Sequence, residues 1–165
     1  ELWVRGDGIL QGYYNKPEAT EAAFVDAWFR TGDLFVKDDK GYFTIVGRIK
    51  DMIRRSSENI SALEVEQALT MVDGVMQAAV VAVPDDYRGE EVKAYLLLEA
   101  GETPETVPPT DIIDGCRKRL AAFKVPRFIE YVAEFPYTPS NKVAKAKLIA
   151  QTPDLREGSW DALVT

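Results

Sequence analysis

Histidine is absent from this chain of 165 residues, and its absence removes Ser-His-Asp and Cys-His catalysis together with most zinc sites. Cysteine occurs once, at Cys116, so no disulfide framework can form within the chain, and the reducing cytoplasm is the expected location. No apolar run approaches the ~18 residues that a membrane helix needs, so no membrane span is expected. The opening Glu1-Leu2-Trp3-Val4-Arg5-Gly6 lacks a starting Met and a basic-then-apolar leader. It reads as the middle of a strand, and the chain is expected to be part of something longer. Positive charge is also scarce. Against 27 Asp and Glu stand 20 Lys and Arg, a net charge of −7, which argues against nucleic acid as a partner.

What is present suffices for a fold. Hydrophobic residues make up 46% of the chain, enough for one ordinary core or a small core plus a remnant of another. Residues 1–49 are rich in Gly and aromatics and read as short strands around one helix. Pro17 followed by Glu18 and Glu21 marks that helix start, because Pro fits the first turn and acids favour its unpaired N–H groups. Lys37-Asp38-Asp39-Lys40-Gly41 is a polar turn between Phe35-Val36 and Tyr42 to Val46, which predicts a β-hairpin.

Further along, Ser61-Ala62-Leu63-Glu64 matches a capping box. Val65, Ala68, Leu69 and Val72 follow at helical spacing, and Asp73-Gly74 ends the helix. Ala78 to Val83 reads as a strand buried on both faces. Val92, Ala94, Leu96 and Leu98 alternate with Lys93, Tyr95 and Glu99, which predicts a half-buried strand. After a Pro-rich connector, Thr110 to about Ala122 reads as a second amphipathic helix with Ile113, Cys116 and Leu120 inward. Phe128 to Val132 is a last short strand. The fold class is therefore α+β: a small three-stranded sheet with flanking helices and a β-hairpin over residues 50–150, preceded by a β-rich remnant over 1–49. Residues 151–165 show no periodicity and read as a disordered tail.

Four segments in fixed order resemble a known superfamily. They are Gly12-Tyr13-Tyr14-Asn15-Lys16-Pro17-Glu18-Ala19-Thr20; Trp28-Phe29-Arg30-Thr31-Gly32-Asp33-Leu34; Gly47-Arg48-Ile49-Lys50-Asp51-Met52-Ile53 running on to Glu64-Val65-Glu66; and Thr138-Pro139-Ser140-Asn141-Lys142-Val143. Together they resemble the C-terminal portion of the AMP-forming acyl-CoA synthetase, luciferase and peptide-synthetase adenylation superfamily. Such enzymes activate a carboxylic acid with Mg2+ and ATP to an acyl-adenylate, rotate a small C-terminal domain, and pass the acyl group to a thiol such as that of CoA. The resemblance implies that residues 1–49 end the large adenylation domain and that 50–150 form the mobile lid. The phosphate-binding loop, the Mg2+ site and the acid pocket belong to an N-terminal domain in cis that the chain lacks, so the chain alone is expected to be inactive.

The same resemblance implies roles for single residues. Asp33 matches the carboxylate that accepts from both ribose hydroxyls, a task suited to two acceptor oxygens facing two vicinal donors. Arg48 matches an arginine that contacts the nucleotide near ribose and phosphate, where a planar cationic fork suits an anion. Lys50 matches the hinge. Lys142 matches the catalytic lysine that reaches between substrate carboxylate and α-phosphate, with Lys145 and Lys147 read as solvated neighbours. Ser57, where the family usually has Gly, and Glu58 lie near the implied path of the thiol. Asn141 stands where Gly is common, a mild change because Asn tolerates left-handed torsions. Glu64 and Glu66 read as helix-start residues, and Cys116 as core. No metal ligands are expected in the chain. Two other readings stand beside this one: an adenylation domain loading the phosphopantetheine of a carrier protein, and a stand-alone binding module. Residues 151–165 hold no Gly-Gly-x-Ser-like attachment site, which favours free CoA.

Overall fold

The computed structural model describes residues 1–164 and divides into two units, Glu1–Lys50 and Asp51–Thr165. In the first unit, β1 (Trp3–Val4), α1 (Pro17–Ala23), β2 (Phe24–Val25) and β3 (Trp28–Arg30) come in that order, with the strands arranged β1-β3-β2, all antiparallel. Pro17 opens α1 with Glu18 in its first turn, as its sequence predicts. The expected hairpin is formed by β4 (Asp33–Lys37) and β5 (Phe43–Arg48). Its turn is fixed by Asp38, whose Oδ1 accepts from the N–H groups of Lys40 and Tyr42 at 2.9 and 2.8 Å. A short polar side chain that bonds its own backbone in this way holds a turn without a core.

The second unit holds β6 (Met52–Arg55), β7 (Glu58–Ser61), α2 (Ala62–Leu69), β8 (Val75–Asp85), β9 (Gly89–Leu98), α3 (Pro109–Arg117), β10 (Phe128–Tyr131), α4 (Lys145–Ile149) and β11 (Trp160–Asp161). Strand β9 is central: antiparallel to β8 along its length, parallel to β10, and joined to the β6–β7 hairpin at Gly89. The three expected strands are thus the middle of a six-stranded sheet that β6, β7 and β11 extend.

Helix α2 starts as predicted on Ser61, whose Oγ accepts from the Glu64 N–H at 3.4 Å. The Glu64 carboxylate also grips the Lys124 ammonium, at 2.6 and 2.8 Å. Ala62, Val65, Ala68 and Leu69 are the buried face of this helix. Gly74 then turns the chain with φ +83°, a left-handed torsion that suits glycine. Against α2 lies α3, shorter than its pattern suggests. Its last turn closes early because the N–H groups of Arg119 and Leu120 both return to the Cys116 carbonyl, at 2.9 and 2.8 Å. The main core joins Val65, Leu69, Val80, Leu96, Ile112 and Ile129 from these helices and the sheet.

Two expectations fail here for one reason. Strand β9 is not half-buried: Lys93 has 0% exposure and Tyr95 is buried too. Their face is covered by a second cluster in which Phe135 and Leu148 pack on Ala79, Val81 and Tyr95, and by Leu155 beside Val83 and Phe128. The covering residues come from the segment after β10 (Phe135), from α4 (Leu148) and from the stretch after Gln151 (Leu155). That stretch is an ordered part of the fold over its described residues, with β11 pairing antiparallel to β10. The buried ammonium of Lys93 is compensated by the Glu130 carboxylate and the Leu155 carbonyl, as a buried charge requires.

Candidate functional site

Asp33 and Arg48 are placed by the β4–β5 hairpin, where they are direct cross-strand partners. The loop before Asp33 is tied down by Thr31, whose hydroxyl donates to the Leu2 carbonyl at 2.7 Å and accepts from the Asp33 N–H at 3.1 Å. Gly32 supplies a left-handed torsion (φ +70°), and its carbonyl accepts from the Ile49 N–H at 2.9 Å. A register shift between Leu34 and Phe35 bends β4 just beyond the site. The outcome is an ion pair: Arg48 Nε donates to Asp33 Oδ1, with side-chain exposures of 43% and 23%. Carboxylate acceptors and a guanidinium donor therefore sit side by side, half open to solvent.

Lys50 is exposed, in a single 3-10 turn (Ile49–Asp51) between β5 and β6, and is the last residue of the first unit. Ser57 and Glu58 are exposed at the tip of the β6–β7 hairpin. The left-handed residue of that two-residue turn is Ser56 (φ 57°), not Ser57. Ser57 therefore occupies ordinary backbone, and no torsion there demands glycine. The Ser56 N–H donates to the Arg88 carbonyl at 2.6 Å, which fastens the tip to the β8–β9 turn.

Lys142 lies on a closed loop. Tyr137 and Val143 form an isolated antiparallel bridge, the Thr138 N–H donates to the Lys142 carbonyl at 2.8 Å, and the Lys142 N–H donates to Thr138 Oγ1 at 3.1 Å. Asn141 takes the left-handed turn (φ 58°), the torsion for which Asn is a tolerable stand-in for Gly. The Lys142 backbone is thus pinned while its ammonium, exposed, has no hydrogen-bond or ion-pair partner among the described residues. Lys147 is also exposed. Lys145 departs from its expected solvation: its ammonium meets Glu66 Oε1 at 2.7 Å, with the two side chains 23% and 18% exposed. Sequence reasoning passed over this pair because α4, which starts at Lys145, buries only Leu148 and so has little apolar signature.

Beneath the β6–β7 hairpin lies a second set of charges. Glu91, 0% exposed, receives Arg88 at 3.0 Å and Arg55 at 3.3 Å. Arg55 Nε also lies 2.7 Å from Glu91 Oε2, an ion pair without hydrogen-bond alignment. Burial pushes the Glu91 carboxyl upward while Arg88 and Arg127 oppose the shift. Arg127 forks onto Asp161 at 3.0 and 2.9 Å and onto Asp85 at 3.1 Å. Burial lifts the Cys116 thiol to about 11, the behaviour of a core thiol rather than a nucleophile. No cluster of three or more His, Cys, Asp or Glu gathers as a metal site among the described residues.

The hairpin thus offers a paired carboxylate and guanidinium, and the α+β unit after it presents a lysine on a pinned loop. Residues 64–142 match the family model described as the AMP-binding enzyme C-terminal domain. The medium-chain acyl-CoA ligase ACSF2, mitochondrial, of Mus musculus is 41% identical over 152 residues, which are 92% of this chain and 24% of that protein. Among solved structures, o-succinylbenzoate CoA synthetase (MenE) from Bacillus subtilis in complex with its acyl-adenylate intermediate superposes with a TM-score of 0.78 at 31% identity, covering 89% of this chain and 29% of that one. ATP-bound MatB from Rhodopseudomonas palustris gives a TM-score of 0.77 at 32% identity, covering 87% and 28%. The chain is similar to the C-terminal portion of adenylate-forming acyl-CoA synthetases. It spans between about a quarter and three tenths of the length of these relatives.

Proposed function

We propose that this chain closes the nucleotide site and supplies the catalytic lid of an ATP-dependent, AMP-forming acid–CoA ligase. The observation that carries the reading is Lys142: a backbone locked by two hydrogen bonds to Thr138, bearing an exposed ammonium that no described carboxylate claims. In-line attack of a carboxylate on the α-phosphorus brings two anions together. A compact cation held between them lowers that barrier by position and charge, with acyl-adenylate and pyrophosphate as products. The carboxylate of Asp33 suits the two ribose hydroxyls as donors, and the neighbouring Arg48 suits the phosphate or ribose oxygens. Mg2+ would arrive with ATP and neutralise phosphate charge, held by the larger domain that the resemblance implies.

Thioester formation needs the lysine to withdraw. The exposed 3-10 turn at Lys50, between the two units, fits a hinge whose backbone absorbs the rotation. The CoA thiol then attacks the acyl carbonyl and AMP leaves, with Ser57 and Glu58 beside the thiol path. The exposed apolar side chains of Tyr42, Phe43 and Ile45 on the β4–β5 hairpin fit a surface that a larger domain in cis would cover. No described helix is long and apolar enough to cross a membrane. A single cysteine held as a buried thiol suits the reducing cytoplasm. The test is a panel of carboxylic acids offered to the full-length protein with ATP and CoA. Acid-dependent pyrophosphate release followed by acyl-CoA supports the reading; release that no acid stimulates refutes it.

A further inference from the structure

The loop that bears Lys142 is fastened at both ends to one strand edge. Strand β8 pairs only with β9 among the described elements, so its outer backbone groups need other partners. Glu66, in the second turn of α2, reaches that edge, and its Oε1 accepts from the Val80 N–H at 2.8 Å. The same oxygen holds the Lys145 ammonium at 2.7 Å, and Lys145 begins α4 three residues after Lys142. At the other end of the loop, the Tyr137 hydroxyl donates to Gln77 Oε1 at 2.7 Å, again on β8. The loop is therefore clamped on both sides of its tip.

A bare strand cap does not need this arrangement. A glutamine at position 66 could accept from Val80 equally well; a carboxylate adds the charge that holds an ammonium about twice as strongly as a neutral acceptor. The second function of the charge is to hold Lys145, and through it the end of the loop. We propose that the Glu66–Lys145 pair is a positioning device for Lys142: it sets where the free ammonium stands, without touching substrate. The inference rests on the role proposed above for Lys142. Small displacements of a catalytic group are expensive in rate, so the clamp governs turnover rather than folding.

The experiment uses the full-length enzyme and measures acyl-adenylate formation by pyrophosphate release. Glu66→Gln and Lys145→Met should each slow this step about tenfold, and Lys145→Arg should return it to within about twofold of the wild type. In a Lys142→Ala background neither variant should cost more than about twofold, because the group they position is gone. In the isolated chain, Lys145→Met should lower the 15N heteronuclear NOE at Lys142. An equal loss from Lys145→Met in both backgrounds, no loss in either, or an unchanged NOE overturns the inference. If Lys142→Ala itself leaves adenylation untouched, the proposed function fails and takes the clamp with it. A slow Lys142→Ala enzyme with a fully active Lys145→Met enzyme rejects the clamp alone.

Discussion

Asp33 and Arg48 stand opposite each other in the register of β4 and β5 and hold each other in an ion pair. Fifteen residues apart in sequence, they form one composite surface on a single hairpin. Under the proposed function, the hairpin would deliver an acid suited to the ribose hydroxyls and a guanidinium suited to the nucleotide together.

The pairing makes the two residues interdependent. In the full-length enzyme, Asp33→Ala should raise KM for ATP by about tenfold or more, through loss of a charge-assisted acceptor. Arg48→Lys should not be neutral, because an ammonium cannot reproduce the planar fork. Steady-state kinetics against ATP, with a double-mutant cycle, measures both effects. Additive losses would show that the pair does not act as a unit.

Gly74 is a sharp test of the lid fold. Its φ of +83° is strained for any side chain, and a Cβ there would lie 2.6 Å from Val107 Cγ2. Gly74→Ala should destabilise the chain by about 1–3 kcal/mol, seen as a lower denaturant midpoint with an unchanged slope. A midpoint equal to the wild type would mean that the turn relaxes freely.

Cys116 should be chemically silent in the native chain. With its thiol lifted to about 11 by burial, the thiolate is scarce at neutral pH. A disulfide reagent at about pH 8 should label it only as fast as the protein opens, and promptly in denaturant. Immediate labelling of native protein would contradict its place in the core.

Acid should loosen β11 first. The hydrogen bonds from Arg127 to Asp161 hold that carboxyl below its ordinary 3.8. A carboxyl depressed in the folded state stabilises fully above the unfolded value, and that stability is lost as pH falls through the lower folded value. Amide exchange at Ala162, which donates to the Arg127 carbonyl at 3.0 Å, should therefore accelerate below about pH 4. Asp161→Asn should remove this pH dependence and cost about 1 kcal/mol.

Much of this architecture is legible in the residues because local physics and the fold agree. Pro17 starts a helix, Asp38 makes a turn, and Ala78 to Val83 is a doubly buried strand. The sequence misleads where a distant partner changes what a residue faces. Lys93 alternates like a solvent-side residue, yet the Leu155 carbonyl, 62 residues on, completes its burial. Lys145 looks like one of a basic run until Glu66 is brought beside it. For the site, Asp33, Arg48 and Lys142 are identifiable only through a superfamily pattern. Nothing in their spacing foretells that the first two pair or that the third stays free.

The most direct test of the account is Lys142→Ala assayed in the two half-reactions of the full-length enzyme. Acyl-adenylate formation should fall by about 10²–10³, the scale of losing a preorganised charge at the reacting centre. Acyl transfer to CoA from preformed acyl-adenylate should stay within about threefold of the wild type. Equal losses in both half-reactions, or undiminished adenylation, would contradict the role given to this lysine.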